Sequence, residues 1–370
     1  MLICLGLERQ SDFGYDFHMS DFIFNVLDQS PVTSATNPAL AVAETVALAE
    51  HTDTLGYRRF WLAEHHNTSA FAGAAPEILI GHIAARTQHL RVGSGGIMLP
   101  HYSPMKVAEV FRMLETLAPK RIDLGLGRAP GGDARTAAAL QAGPKAWPAE
   151  VFPQQVEMLI QFLEDAAGLT GEVGGFPDAH PYKGIRAQPL GEHMVPMYML
   201  GSGGDGAYHA AQFGLPYVYA HFINPDNLET ALLAYRTHFR PSRFLDAPRV
   251  MMAVSAIAAD SEEEAKHFSK PRDIWVAQLF QNRAGRLPTL AEAEAYQPTD
   301  DEAAQIDLIA QRGLAGTAPQ VLERLDTFRK EHGIDEFFLL TLIPDAAIRK
   351  NSYTLMSRAA GLNRAAEAAE

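Results

Sequence analysis

Phe60-Trp61-Leu62-Ala63-Glu64-His65-His66-Asn67 passes without a break from four apolar residues to four polar ones. The first half reads as a short buried strand, and the second half stands where that strand would leave the core. Working outward, similar β-rich runs recur at Phe22–Gln29, Arg59–Glu64, Arg91–Leu99, Arg121–Gly127, Pro196–Leu200, Pro216–Phe222, Val250–Ala258 and Glu336–Ile343. Helical stretches fill the intervals. Ala39–Leu55 ends at Gly56, and Pro104–Leu117 opens on Pro and stops before Pro119; Pro76–Thr87, Phe152–Ala167, Ala207–Phe213, Pro225–Phe239, Ser261–Leu279 and Pro319–His332 complete the set. Strands alternating with helices predict parallel βαβ units, and about eight of them fit a closed (β/α)8 TIM barrel, an α/β fold, better than an open sheet. Insertions are expected after the fourth and seventh strands. Gly168–Val195 is rich in Gly and Pro, while Gln281–Gly313 is polar and acidic, shows no clear period, and reads as a lid. No Gly/Ser or Pro-rich linker interrupts residues 19–370, which are taken as one domain with a C-terminal helical tail.

The chain of 370 residues is 47% hydrophobic and 20% charged, which supplies a large core and excludes a disordered polymer. A formal charge of −13 disfavours nucleic acid and anionic membranes as partners. One cysteine, Cys4, cannot close an internal disulfide, and this fits a reducing, cytoplasmic setting. No apolar run reaches the roughly 18 to 20 residues that span a bilayer. Residues 1–18 lack a basic n-region and a small-residue cleavage site, and Met19 directly precedes the first strand; this segment is expected to be a disordered arm or an over-extended start.

Barrel chemistry gathers at the C-terminal ends of strands. His65, at the end of the second strand, is the expected general base, because imidazole titrates nearest neutrality and a strand end holds it rigidly. His66 reads more simply as a packing or turn-capping residue. Neighbouring histidines on an extended segment point to opposite sides, and neither an H-E-x-x-H motif nor a cysteine cluster accompanies them, so no metal is expected.

The fifth strand runs into Gly201-Ser202-Gly203-Gly204-Asp205-Gly206 and then a helix. Such a turn lets backbone N–H groups and a helix N-terminus meet a phosphate, although the G-x-G-x-x-G pattern alone is weakly specific. Arg128, closing the fourth strand, could grip the same phosphate bidentately or pair with a carboxylate such as Asp133. Ser94-Gly95-Gly96 ends the third strand; glycine there allows close approach of a flat cofactor, or serves barrel packing. Gly313-Leu314-Ala315-Gly316-Thr317 is a lesser phosphate candidate, since Thr317 before Ala318-Pro319 is explained as a helix N-cap.

Leu62-Ala63-Glu64-His65-His66-Asn67, Val92-Gly93-Ser94-Gly95-Gly96-Ile97-Met98-Leu99-Pro100, Arg121-Ile122-Asp123-Leu124-Gly125-Leu126-Gly127-Arg128 and Ala210-Ala211-Gln212-Phe213-Gly214-Leu215-Pro216 together resemble the bacterial luciferase-like flavin-dependent monooxygenases in order and spacing. The likeness covers about residues 22 to 345. It implies an FMN-type flavin across the barrel mouth, its ring against Gly95 and Gly96 with a non-prolyl cis peptide beneath. The phosphate would lie near Arg128, Ser202, Gly203 and Gly206. It also implies His65 as catalytic base, His221 beside the flavin where luciferase has tryptophan, and substrate contacts at Asp28, Gln29 and Ser30, which could equally be turn residues. The implied reaction uses reduced FMN, from a separate reductase or from solution, with O2 through a flavin C4a-peroxide to oxidise a small organic substrate such as an aldehyde. A homodimer through helices of the N-terminal half is expected. The competing readings are an F420-dependent hydride-transfer enzyme on the same barrel, a non-catalytic flavin-binding protein, and a barrel metallohydrolase.

Overall fold

A computed structural model describes residues 22–128, 133–141, 143, 148–170 and 175–362. The expected extension 1–18 with Cys4, and Gly131 and Gly132 after Arg128, lie outside the described residues. The strands are β1 Ile23–Asp28, β2 Arg59–Leu62, β3 Arg91–Met98, β4 Ile122–Gly127, β5 Met197–Gly201, β6 Tyr217–Ala220, β7 Val250–Ala259, β8 Leu314–Thr317 and β9 Glu336–Leu340. β1 to β7 pair in sequence order, β7 also pairs β9, and β9 returns to β1, so eight parallel strands close into a barrel. The (β/α)8 expectation is met. β8, which the sequence reading missed, is a short addition along Ala256–Ala259 of β7.

The helices are α1 Pro38–Asp53, α2 Pro76–Ala84, α3 Pro104–Leu117, α4 Ala134–Leu140, α5 Phe152–Ala166, α6 Gly204–Gln212, α7 Leu228–His238, α8 Glu262–Phe280, α9 Leu290–Ala295, α10 Asp300–Arg312, α11 Ala318–His332 and α12 Ala346–Ala360. Two expected helices change. The one placed at 207–213 starts at Gly204, because the Gly203 carbonyl already accepts the Ala207 N–H. The one placed at 225–239 splits into a 3-10 turn, Pro225–Asn227, followed by α7. The stretch 281–313, read as lacking a period, in fact holds α9 and α10. Each opens with a reciprocal capping box, Thr289 with Glu292 and Thr299 with Glu302. α10 fully buries no side chain and half-buries Ala303, Ile306 and Ile309, a stripe too short and too polar in its flanks to stand out. Among the described residues no helix is long and apolar enough to cross a membrane.

Alternation along each strand builds two cores. Phe24, Val26, Phe60 and Leu62 point outward into the layer beneath the helices, while Leu27, Trp61, Ala63, Tyr198, Val218, Met251, Ala253 and Phe338 fill the barrel. Trp61 is central there, with ring centroids 4.2 Å from Phe338 and 4.9 Å from Tyr198.

At the N-terminal end of the strands the barrel is plugged by charge. Arg59 donates to Asp123 at 3.1 Å, to Glu336 and to the Tyr198 hydroxyl; Arg91 and the Trp61 indole also donate to Asp123, and Arg249 and Asn25 to Glu336. Burial works against the Arg59 charge, but Asp123, Tyr198 and Glu336 more than restore it and hold its pKa above the usual guanidinium value. Removing one member of so buried a set leaves its partners uncompensated. Asp123→Ala should therefore cost about 3–5 kcal/mol in urea unfolding. A loss within the range of an exposed pair, under about 1 kcal/mol, would show that the plug is dispensable.

Candidate active site

The opposite end of the barrel collects the residues singled out by sequence. β2 to β5 are adjacent, so His65, Gly95 and Gly96, Arg128 and the 201–206 turn occupy neighbouring positions on one rim. Two of the substrate candidates are tied into the frame instead. Asp28 is fully buried; one oxygen accepts from the Ser30 N–H at 2.6 Å and the Thr45 hydroxyl at 2.9 Å, and the other from Arg349 of α12. Ser30, at φ 51°, accepts from the same Thr45 hydroxyl at 3.0 Å, and Gln29 is buried. These contacts account for Asp28 and Ser30 as the turn residues that lock β1 to α1 and α12.

The Gly95–Gly96 peptide is cis, as expected. Both glycines are partly exposed while their β3 neighbours are buried. A Cβ on Gly95 would lie 2.6 Å from Leu27 Cδ1, and one on Gly96 would lie 2.8 Å from the Gly125 carbonyl oxygen. Ser94 braces the same seam, its hydroxyl donating to the Gly125 carbonyl and accepting from the Gly125 N–H at 2.8 and 3.0 Å. Barrel packing therefore suffices to require glycine here, and it leaves an open strip of backbone facing the mouth.

His65 is partly buried, its ring 4.5 Å from that of Phe71, and its Nδ1 is buried without a hydrogen-bond partner. Burial, helped by His66, depresses its pKa to about 4, so the imidazole is neutral and Nδ1 is a free polar atom. Phe71 packs edge-on against Trp275 of α8 at 5.3 Å, and the Trp275 indole N–H donates to the Gly285 carbonyl at 2.8 Å. Residues 285–287 are clamped to the β1–α1 loop, Leu287 N–H to the Val32 carbonyl and Ser34 N–H to the Leu287 carbonyl. The front of the 281–313 insertion is thus a fixed wall behind His65.

Sequence reading missed Glu64 and Tyr102. Glu64 is buried; one oxygen accepts from the Met98 N–H at 3.0 Å, and the other faces His66 Nε2 and the Tyr102 hydroxyl, each at 2.7 Å. Burial, then the Glu64 charge, raises the Tyr102 pKa, so this hydroxyl remains a donor. The available signal was a carboxylate at a strand end directly before two histidines.

The 201–206 turn forms as expected. Gly203 caps α6, and the first-turn N–H groups of Gly204, Asp205 and Gly206 have no intrahelical acceptor. A Cβ on Gly204 would meet nothing within 4 Å, so the approach is open. Gly206 is different: it is buried, and its Cβ would lie 3.3 Å from Gly201 Cα, which makes it a helix–strand packing residue. Arg128 does pair with a carboxylate, but with Asp205 at 2.9 Å rather than Asp133. Asp133 instead caps α4 through Arg135 and Thr136, and those hydrogen bonds lower its pKa to about 2. Both members of the Arg128–Asp205 pair are solvent-accessible, so the arginine is available to an incoming anion. His221 ends β6 with its ring edge-on to Phe328 of α11 at 5.1 Å, and burial and Arg324 lower its pKa to about 4. Among the described residues no group of three His, Cys, Asp or Glu side chains is placed to hold a metal ion.

A parallel barrel with histidine, exposed glycine backbone and a helix N-terminus on one rim has the layout of a (β/α)8 enzyme. The luciferase-like monooxygenase family matches residues 19–336, and the chain belongs to that family. It is 37% identical over 339 residues to N-acetyl-S-alkylcysteine monooxygenase of Bacillus subtilis (strain 168), covering 90% of this chain and 97% of that one. The crystal structure of apo-MsnO8 superposes with a TM-score of 0.81 at 34% identity, covering 92% and 99% of the two chains. Two barrels at 17% identity share the fold alone. One is the FMN complex of the oxygenating constituent of 3,6-diketocamphane monooxygenase from Pseudomonas putida, with TM-score 0.69 and coverage of 92% and 98%; the other is an F420-dependent secondary alcohol dehydrogenase, with TM-score 0.62 and coverage of 93% and 99%. The chain is accordingly a luciferase-like monooxygenase.

Neutral burial of His65 and His221 has a consequence for stability. Unfolded, each titrates near 6.5; folded, near 4. The unfolded chain therefore binds more protons in this window, and stability falls as pH drops from about 6.5 towards 4. Replacing both with Gln should reduce proton uptake on unfolding by up to about two near pH 5, read from the pH dependence of the urea midpoint. An unchanged slope would place both rings in water.

Proposed function

We propose that this monooxygenase takes reduced FMN and O2 and oxidises a small organic substrate at the rim formed by β2 to β5. The carrying observation is that neutral His65 with its unpartnered Nδ1, the open Gly95–Gly96 backbone and the Arg128-flanked N-terminus of α6 stand on successive strands. The residues fit the cofactor: the N–H groups of Gly204 and Asp205 with Arg128 would hold a phosphate, with Ser202 and Gly203 shaping the turn, and the glycine strip would lie against a flat ring. When bound, reduced flavin supplies the electrons that activate oxygen. His65 Nδ1 accepts a proton or hydrogen bond from the reacting groups, and the Phe71–Trp275 wall keeps water from that side. The thioether substrate in the name of the Bacillus relative, together with aldehydes, defines the first substrates to screen.

A separate reductase is proposed as the source of reduced FMN. A homodimer is proposed through α2 and α3, where Ile78, Met113 and Leu117 are each more than half exposed; sedimentation velocity tests it.

The functional test is anaerobic loading with reduced FMN, mixing with 18O2, and measurement of labelled product against hydrogen peroxide. Label in a thioether or aldehyde product supports oxygenation. Peroxide alone with every substrate, or binding of F420 and not FMN, would replace the reading with a flavin-binding protein or a hydride-transfer enzyme. Arg128→Ala should weaken FMN by about tenfold or more while leaving riboflavin within about twofold. Equal loss of both would remove the phosphate contact.

A further inference from the structure

We infer that Glu64 is a positioning residue of this site, which holds the Nε2 proton of His66 and so makes Nδ1 the atom at which that ring gives or takes a proton. A carboxylate accepts hydrogen bonds only, and His66 Nε2 lies 2.7 Å from Glu64 Oε1. Nε2 must therefore carry a proton, so the proton this ring gains or loses is the one on Nδ1. The partners of Glu64 make this arrangement rigid. The Tyr102 hydroxyl donates to the same oxygen at 2.7 Å, and the Met98 N–H donates to the other at 3.0 Å, joining the end of β2 to β3 two residues beyond Gly96. His101 lies edge-on to the His66 ring at 6.0 Å, and His66 also acts on the charges of Glu77 and His65.

The neighbouring histidines thus divide by their contacts. His65 packs on Phe71 with its Nδ1 buried and unpartnered, whereas His66 is oriented by a carboxylate through Nε2. A buried acid tied to three donors, Met98 at the end of β3 and His66 and Tyr102 in the segments after β2 and β3, does more than terminate a strand: it sets which nitrogen of His66 is basic and holds that ring relative to the cis diglycine.

The tautomer is tested in the full chain by 15N NMR of the histidine rings, with His66 assigned by the loss of its signals in His66→Asn. This needs no cofactor or substrate, so it stands or falls apart from the FMN reading, on which only the kinetic consequence rests. The expected result is a His66 ring protonated on Nε2. With a turnover assay in hand, Glu64→Gln should lower kcat by about 10²-fold, as for a misplaced catalytic group, with KM within about threefold. A His66 ring with no proton on Nε2, or a folded Glu64→Gln enzyme with wild-type kcat, overturns the inference. Should Glu64→Gln fail to fold, the wild-type tautomer decides.

Discussion

The seam between β3 and β4 is closed to side chains at its glycines. A Cβ on Gly125 would stand 2.1 Å from the Ser94 carbonyl oxygen, and Cβ atoms on Gly93 and Gly96 would meet the β4 backbone at 2.6 and 2.8 Å. The seam carries the barrel's register irregularity, between Ser94 and Ile97, and the cis diglycine lies within it. The site hangs from this approach. The β3 backbone leaves the seam so that the Met98 N–H reaches Glu64, Glu64 orients His66, and a strip of bare peptide remains at the barrel mouth. A constraint imposed by packing thereby produces a surface that a planar ligand can approach.

Charge is distributed unequally between the barrel's ends. Arg59, Asp123 and Glu336 are buried, mutually bonded and remote from the mouth, as suits residues that hold the strands together. At the mouth His65 is neutral, and Arg128 and Asp205 are accessible. The Arg128–Asp205 pair places an acid at the helix terminus offered to a phosphate. An anion arriving there would compete with the Asp205 carboxylate for Arg128.

The barrel was legible because each strand is a short apolar run with turn chemistry at its ends, and closure followed from their number. The cis diglycine was legible only through family resemblance; no local pattern requires that isomer. α9 and α10 were missed because apolar periodicity was sought, although Thr289–Glu292 and Thr299–Glu302 carried the capping signal. Asp28 looked like a mouth residue by position, but its partner Arg349 lies 321 residues away in sequence, and no local reading pairs them. Glu64 was hidden differently: its importance lies in donors from Met98 and Tyr102, visible only once β2 and β3 are adjacent.

Hydrogen–deuterium exchange with and without FMN tests most directly whether this rim is the cofactor site. The account predicts slowed exchange in residues 94–98 and 201–209 when FMN binds, with residues 313–317 unchanged. Protection at 313–317, or no protection by FMN alongside protection by F420, would contradict it.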